Sequence, residues 1–160
     1  MDINHIGITV PDIELAVEFY CDVFGMKVLS PPRTHTDATA FASRRKDVFG
    51  EQWKGMKLAH LATPSGCGFE LFEFLEPSTC RPADAFAYWN IGVSHVCITV
   101  DDFDATLDRL TESGGTRCSG VHTVRQGVKI CYCQDPWGVV IEVASAPYAS
   151  IVGVTGNSEE

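Results

Sequence analysis

Apolar and polar residues alternate along two similar stretches of the chain, residues 3–10 and 93–100. Alternation with a period of two, in segments rich in Ile, Val and Thr, predicts β-strands. Each stretch is followed by an aspartate suited to cap a helix, Asp12 or Asp102, and then by apolar residues at helical spacing that end at glycine. Further strand patterns follow each predicted helix, at 56–63 and 68–75, and again at 128–134 and 139–144. The pattern therefore predicts the order β-α-β-β-β twice.

The two halves also repeat at the level of single residues. His5-Ile-Gly-Ile-Thr-Val10 returns 90 positions later as His95-Val-Cys-Ile-Thr-Val100, whereas Glu70 returns as Glu142 after only 72 positions. The first copy therefore holds 18 additional residues between its His and its Glu. We expect these to form a loop after the second strand, within residues 31–57. The expected organisation is a single α+β domain over residues 1–160, with modules 2–75 and 92–145, a connector 76–91 and a C-terminal tail 146–160.

Composition narrows the function classes. A chain of 160 residues that is 45% hydrophobic is large enough to bury one core. The formal net charge of −9 has the wrong sign for phosphate neutralisation and excludes a nucleic-acid partner. No run of about 18 apolar residues is present, so we predict no membrane contact and a cytoplasmic location. The seven cysteines include no CxxC pair, which is typical of neither a disulfide framework nor a cysteine zinc site.

Strand geometry places the repeated histidines and glutamates on the polar faces of their strands. His5 and His95 alternate with the apolar residues that would cover the helices, so they point the other way. Glu142 lies in an apolar strand, where an unpaired carboxylate would be costly, and Glu70 is its counterpart in the first copy. If the two modules curl toward each other, two imidazoles and two carboxylates meet. Such a set suits a divalent metal.

The segments HIGITVPDIELAVEFYCDVFGMKV, FELFEF and DPWGVVIEV resemble those of the vicinal oxygen chelate superfamily over residues 2–145. This group includes glyoxalase I, methylmalonyl-CoA epimerase, extradiol dioxygenases and the bleomycin and fosfomycin resistance proteins. The resemblance implies a glyoxalase-like fold, in which two βαβββ modules form a curled mixed sheet around a metal site. It also implies a homodimer, and it leaves open whether modules pair within one chain or across the dimer. Carried over by position, the metal ligands are His5, Glu70, His95 and Glu142, the set most similar to glyoxalase I, for Zn, Ni, Co, Mn or Fe.

Four protein ligands on an octahedral ion leave two positions, enough for one small-molecule substrate to chelate through adjacent oxygens. The predicted function is a glyoxalase-like lyase, isomerase or epimerase that stabilises an enediolate-type intermediate, with Glu142 and Glu70 as candidates for moving the proton. A ring-cleaving Fe(II) dioxygenase is the alternative, although it needs three open positions and Glu70 would fill one of them. A second alternative is a protein of the resistance type that only sequesters a small molecule.

The insertion supplies candidates for substrate binding. Residues 31–57 carry six basic and three acidic side chains in an otherwise acidic protein. Arg33, Arg44 and Arg45 are therefore candidates to hold an anionic group of the substrate. The alternative is a solvated loop whose charges serve solubility. His60, which matches Tyr132 in the second copy, either lines the cavity or packs in the core.

Overall fold

A computed structural model describes residues 1–81 and 87–153. The chain forms two compact units, Met1–Ala83 and Asp84–Glu160. The expected connector and C-terminal tail therefore fall in part, at 82–86 and 154–160, outside the described residues. In the described ranges, no helix has both the length and the apolar character needed to cross a membrane.

The first unit contains a four-stranded mixed sheet in the order β1-β4-β3-β2. Strand β1 runs parallel to β4, and the other neighbours are antiparallel. Its elements are β1 (His5–Thr9), α1 (Ile13–Phe24), β2 (Lys27–Thr36), α2 (Ala42–Phe49), β3 (Gly55–Ala62) and β4 (Gly68–Glu76).

Helix α1 begins and ends as its sequence predicts. The side chain of Asp12 accepts a hydrogen bond of 3.0 Å from the amide of Leu15, and Gly25 closes the helix in the left-handed conformation, at φ 66°. The helix covers one face of the sheet, where the ring of Tyr20 lies 5.2 Å from that of Phe69. Because strand residues alternate, Glu70 and its same-face neighbours on β4 point away from the helix.

The second unit contains a five-stranded sheet in the order β5-β9-β8-β6, with β7 also paired to β8. The second strand of the repeat is thus divided into two short pieces, both antiparallel to β8. The elements are β5 (Val96–Thr99), α3 (Phe103–Glu112), β6 (Thr116–Arg117), β7 (His122–Thr123), a 3-10 turn (Arg125–Gly127), β8 (Lys129–Gln134), β9 (Val140–Ala144) and α4 (Tyr148–Val152). Asp102 caps α3 through a 3.1 Å hydrogen bond from the amide of Ala105.

The α+β class with a repeated βαβββ order is confirmed, but the interpretation of residues 31–57 as a loop is wrong. Strand β2 continues to Thr36, and a two-turn helix, α2, precedes β3. The ring of Phe49 packs against Phe72 and Phe74, at centroid distances of 5.8 and 5.3 Å. Since these two rings alternate with the helix-facing residues of β4, α2 lies on the sheet face opposite α1.

Candidate functional site

Three of the predicted site residues lie on one face of the first sheet. In the strand register Glu70 stands between Gly7 on β1 and His60 on β3, and paired residues share a face. His5 lies two residues before Gly7 and therefore points the same way. The Nε2 atom of His5 is 3.6 Å from Glu70 Oε2, and the Nδ1 atom of His60 is 3.7 Å from Glu70 Oε1. One carboxylate thus sits between two imidazoles.

The ring of His5 is oriented by its neighbours. Its Nδ1 lies 2.8 Å from the side-chain oxygen of Asn4, an acceptor, so Nδ1 donates to Asn4 and Nε2 is left directed at Glu70. Gly68, directly opposite on β4, allows the close approach of the two strands, because a Cβ built there would lie 2.8 Å from the Cβ of His5. The nitrogen that faces Glu70 is therefore the one able to bind a cation.

The second unit repeats this arrangement with different neighbours. The Nε2 atom of His95 lies 3.1 Å from Glu142 Oε2, and its Nδ1 lies 2.9 Å from the hydroxyl oxygen of Ser94. Asn4 and Ser94 occupy equivalent positions in the repeat, each just before its histidine. Neither was predicted as a site residue, although the presence of a short polar side chain before both histidines was a signal that could have identified them.

The two carboxylates differ in their surroundings. The side chain of Glu142 is 10% exposed and that of Glu70 is 23% exposed. Burial, followed by the charge of Glu142 and a hydrogen bond to it, raises the pKa of Tyr132, which stands beside Glu142 in the register. Burial and the same carboxylate raise the pKa of the Cys97 thiol to about 12. Glu142 is therefore held by several partners, whereas Glu70 contacts only imidazoles among the described residues.

The candidate substrate-binding residues separate into distinct environments. Arg45 is 9% exposed and donates to the carbonyl of Ala40 and to His35 Nδ1, at 2.8 and 3.0 Å. Arg44 is exposed, with its guanidinium 5.2 Å from the ring centroid of Phe41. Arg33 lies on β2 opposite Leu58, and Leu58 lies opposite Phe72, so its Cβ projects from the Glu70 face. His60, whose side chain is 43% exposed, lies beside Glu70 and is not a core residue.

Each unit supplies one imidazole and one carboxylate of the kind that binds divalent metals. In the part of the chain that the structure describes, no group of three or more His, Cys, Asp or Glu side chains is arranged to hold a metal ion. Within each unit the pair fits such an ion in chemistry, because an imidazole Nε2 and a carboxylate oxygen, both atoms that ligate divalent metals, face each other across 3.1 to 3.6 Å.

Comparison with known proteins identifies similar chains. Residues 2–143 match the Glyoxalase/Bleomycin resistance protein/Dioxygenase superfamily. A 2-epi-5-epi-valiolone epimerase from Actinomyces sp is 29% identical over 150 residues, which are 91% of this chain and 79% of that protein. A solved glyoxalase family protein from Bacillus cereus superimposes with a TM-score of 0.75 at 23% identity, over 88% of this chain and 91% of the other. Glyoxalase I from Zea mays superimposes with a TM-score of 0.55 at 22% identity, over 90% of this chain and 44% of its own.

Proposed function

Since the chain belongs to the glyoxalase/bleomycin resistance protein/dioxygenase superfamily, we propose that it is a metal-dependent isomerase or epimerase. It moves a proton at a carbon next to a carbonyl group, and its metal ligands are His5, Glu70, His95 and Glu142. The observation that carries this proposal is the repeated His–Glu pair, in which each Nδ1 is engaged by the preceding side chain and each Nε2 faces a carboxylate. A structural histidine needs no such orientation in both copies of a repeat.

The protein groups divide the work as follows. When bound, the divalent metal acts as a Lewis acid that makes the proton next to the substrate carbonyl more acidic. Asn4 and Ser94 fix the rings of the two histidines. Glu142, buried and held by its neighbours, stays in place as a ligand. Glu70, more exposed and free of hydroxyl or thiol partners in the described ranges, is the ligand that would be released from the metal to act as the base that removes the proton and returns it.

One finding supports the isomerase or epimerase class over the other chemistries of the superfamily. A relative that spans most of the chain carries the name of an epimerase, a type of enzyme that inverts one stereocentre. The proposed ligand set agrees with this class, because four protein ligands on one octahedral ion would leave two positions, enough for adjacent substrate oxygens but not for a catecholate together with O₂. Metal dependence itself is part of the proposal.

The test is proton exchange in D₂O followed by NMR. The full-length protein, purified without chelator and then supplied in turn with Zn, Ni, Co, Mn or Fe(II), is incubated with 2-epi-5-epi-valiolone, dihydroxyacetone or dihydroxyacetone phosphate. We expect at least one metal to support loss of the proton next to the carbonyl, and EDTA to abolish it. Absence of exchange with every metal and ketone would overturn the proposal. Oxygen uptake on catechols with Fe(II) would replace it with the dioxygenase.

A further inference from the structure

We propose that Arg33 and His35 form a binding site for one oxyanion group, a phosphate ester or a carboxylate, on the Glu70 face of the first sheet. The part of this inference that makes the oxyanion a group of the substrate rests on the proposed function. The assignment of an anion site to these two residues does not rest on the proposed function. It rests on the N–H groups of Arg33 and His35 that have no acceptor in the described part of the chain.

The side chains of Arg33 and His35 project from the same face of β2. In the sheet this is the face on which Glu70, the candidate base, lies. Arg33 pairs with Leu58 and His35 with Met56 on β3. On β4 these partners pair in turn with Phe72 and Phe74, which lie on the same face of the strand as Glu70, away from α1. Two residues apart along one strand, Arg33 and His35 present neighbouring donors on that face.

Both residues have hydrogen-bond donors without an acceptor in the described ranges. The guanidinium of Arg33, an exposed residue, has no hydrogen-bond or ion-pair partner among the described residues. His35 receives a hydrogen bond at Nδ1 from Arg45, so its proton is on Nε2. That N–H likewise has no acceptor in the described part of the chain. A guanidinium fork and a neutral imidazole N–H are the groups that bind carboxylates and phosphates.

A buried arginine fixes the geometry of the site. Arg45 on α2 is held by the carbonyl of Ala40 and directs its second nitrogen to His35, which sets the imidazole tautomer. Burial, followed by the charges of Arg45, Arg33 and His60, lowers the pKa of His35 and keeps the ring a neutral donor. Arg45 is therefore a supporting residue, and Arg33 and His35 are the two that contact the anion. Arg44, above the ring of Phe41, belongs to neither group.

The position of the site limits the ligand. Arg33 lies two strands away from Glu70, and along the strands the two are offset by two residues, since Arg33 pairs with Leu58 and Glu70 with His60. This corresponds to roughly 12 Å between their Cα atoms. A substrate whose reacting carbon lies at Glu70 would carry its anionic group several bonds away. The class that fits is a small hydroxy ketone with one phosphate ester or carboxylate at its far end.

Binding of inorganic phosphate tests the site without reference to catalysis. Phosphate, and in a parallel series acetate, is titrated into the full-length protein, and the backbone amide shifts of β2 are followed by NMR. We expect Arg33→Gln to weaken binding of the preferred anion by about tenfold or more, and Arg33→Lys to restore part of it. Arg44→Gln makes the same change in charge and serves as the matched control. Equal affinities in wild type and Arg33→Gln, equal losses in Arg33→Gln and Arg44→Gln, or no binding of either anion would overturn the proposal.

Kinetics then separate this proposal from the proposed function. The D₂O exchange rates of dihydroxyacetone and dihydroxyacetone phosphate are compared in each variant. If the preferred anion in the titrations is phosphate, wild type and Arg44→Gln are expected to have a lower KM for the phosphorylated ketone than for the unphosphorylated one. Arg33→Gln is expected to lose this preference and to retain exchange on the unphosphorylated ketone. If no ketone exchanges, 2-epi-5-epi-valiolone included, the proposed function fails, and the anion titrations still decide the role of Arg33.

Discussion

At the scale of single residues, the two faces of β4 give neighbouring glutamates different tasks. Glu70 faces His5 and His60. Glu73 faces α1, where its carboxylate accepts a 3.0 Å hydrogen bond from the amide of Ile13 and lies 3.2 Å from Lys57 Nζ. The negative charge of Glu73 at the first turn of α1 also interacts favourably with the helix dipole and so stabilises the helix. One strand therefore carries the proposed catalytic carboxylate, Glu70, and a structural carboxylate, Glu73, three residues apart.

Replacing each of these carboxylates by the isosteric amide separates the two tasks. Glu70→Gln is expected to lower the proton-exchange rate by about 10²–10⁴-fold, because an amide cannot act as a base, and to leave the free energy of unfolding unchanged. Glu73→Gln is expected to lower the free energy of unfolding by about 1 kcal/mol and to retain exchange. Denaturant unfolding and exchange rates are measured on both variants. Normal exchange in Glu70→Gln would remove this residue from the proposed mechanism.

Substitution of Gly68 tests whether the position of His5 matters for metal binding. An added Cβ would lie 2.8 Å from the Cβ of His5, so Gly68→Ala must displace the strand that carries the imidazole. We expect weaker metal binding, measured by competition with a chromogenic chelator. Gly120→Ala is the control, because a Cβ at Gly120 meets nothing within 4 Å. If the two variants bind metal equally well, His5 is not a ligand whose placement depends on this contact.

At the scale of elements, α2 shows where the sequence pattern was insufficient. The residues Ala-Ser-Arg-Arg-Lys-Asp-Val-Phe are mostly polar and present no apolar stripe, so they suggested a loop. What holds the helix is not its periodicity. Two aromatic contacts from Phe49 and one buried guanidinium, that of Arg45, fix it to the sheet. Tertiary contacts of this kind are invisible to a local pattern, whereas α1 and α3, with aspartate caps and apolar faces, were predicted at their observed positions.

The contact between α2 and β2 should make stability depend on pH. The pKa of His35 is lowered in the folded protein, so between that value and the unfolded value of about 6.5 the unfolded chain binds more protons. Stability therefore rises with pH through this window, and the contribution of His35 is complete above about pH 6.5 and lost as the pH falls. The physical causes are the burial of the imidazole and then the charge of Arg45, whose hydrogen bond a protonated Nδ1 could no longer accept.

His35→Gln isolates this effect. The side-chain oxygen of the glutamine can accept a hydrogen bond from Arg45 but does not titrate. The fall in the free energy of unfolding between pH 7.5 and 5.5 should therefore be smaller in His35→Gln than in wild type. Urea unfolding at a series of pH values measures it. His122→Gln serves as the control, since His122 is exposed and lies in the second unit. A pH dependence identical in wild type and His35→Gln would show that the Arg45 contact is not sensitive to protonation.

The candidate site was more predictable than the insertion because its evidence is repeated. His5 with His95 and Glu70 with Glu142 could be recognised by comparing one half of the chain with the other. Strand alternation then gave their faces correctly, since each His–Glu pair lies within 3.6 Å. The different surroundings of the two glutamates, and the roles of Arg33 and Arg45, arise in segments that the second copy lacks or has changed. No internal comparison was available for them.

At the scale of the whole molecule, the proposed ligand set takes one His–Glu pair from each unit, and this predicts how metal affects folding. A ligand that binds only the folded state stabilises it by about 2.7 kcal/mol when its free concentration is 100 times its dissociation constant. If one ion requires both pairs, His5→Ala and His95→Ala should each remove nearly all of the stabilisation, although the two residues belong to different units. Thermal unfolding with and without metal, on wild type and both variants, measures this. A stabilisation that is halved in each variant would instead indicate two independent sites, one per unit, and would overturn the four-ligand set while leaving each His–Glu pair as a metal-binding unit of its own.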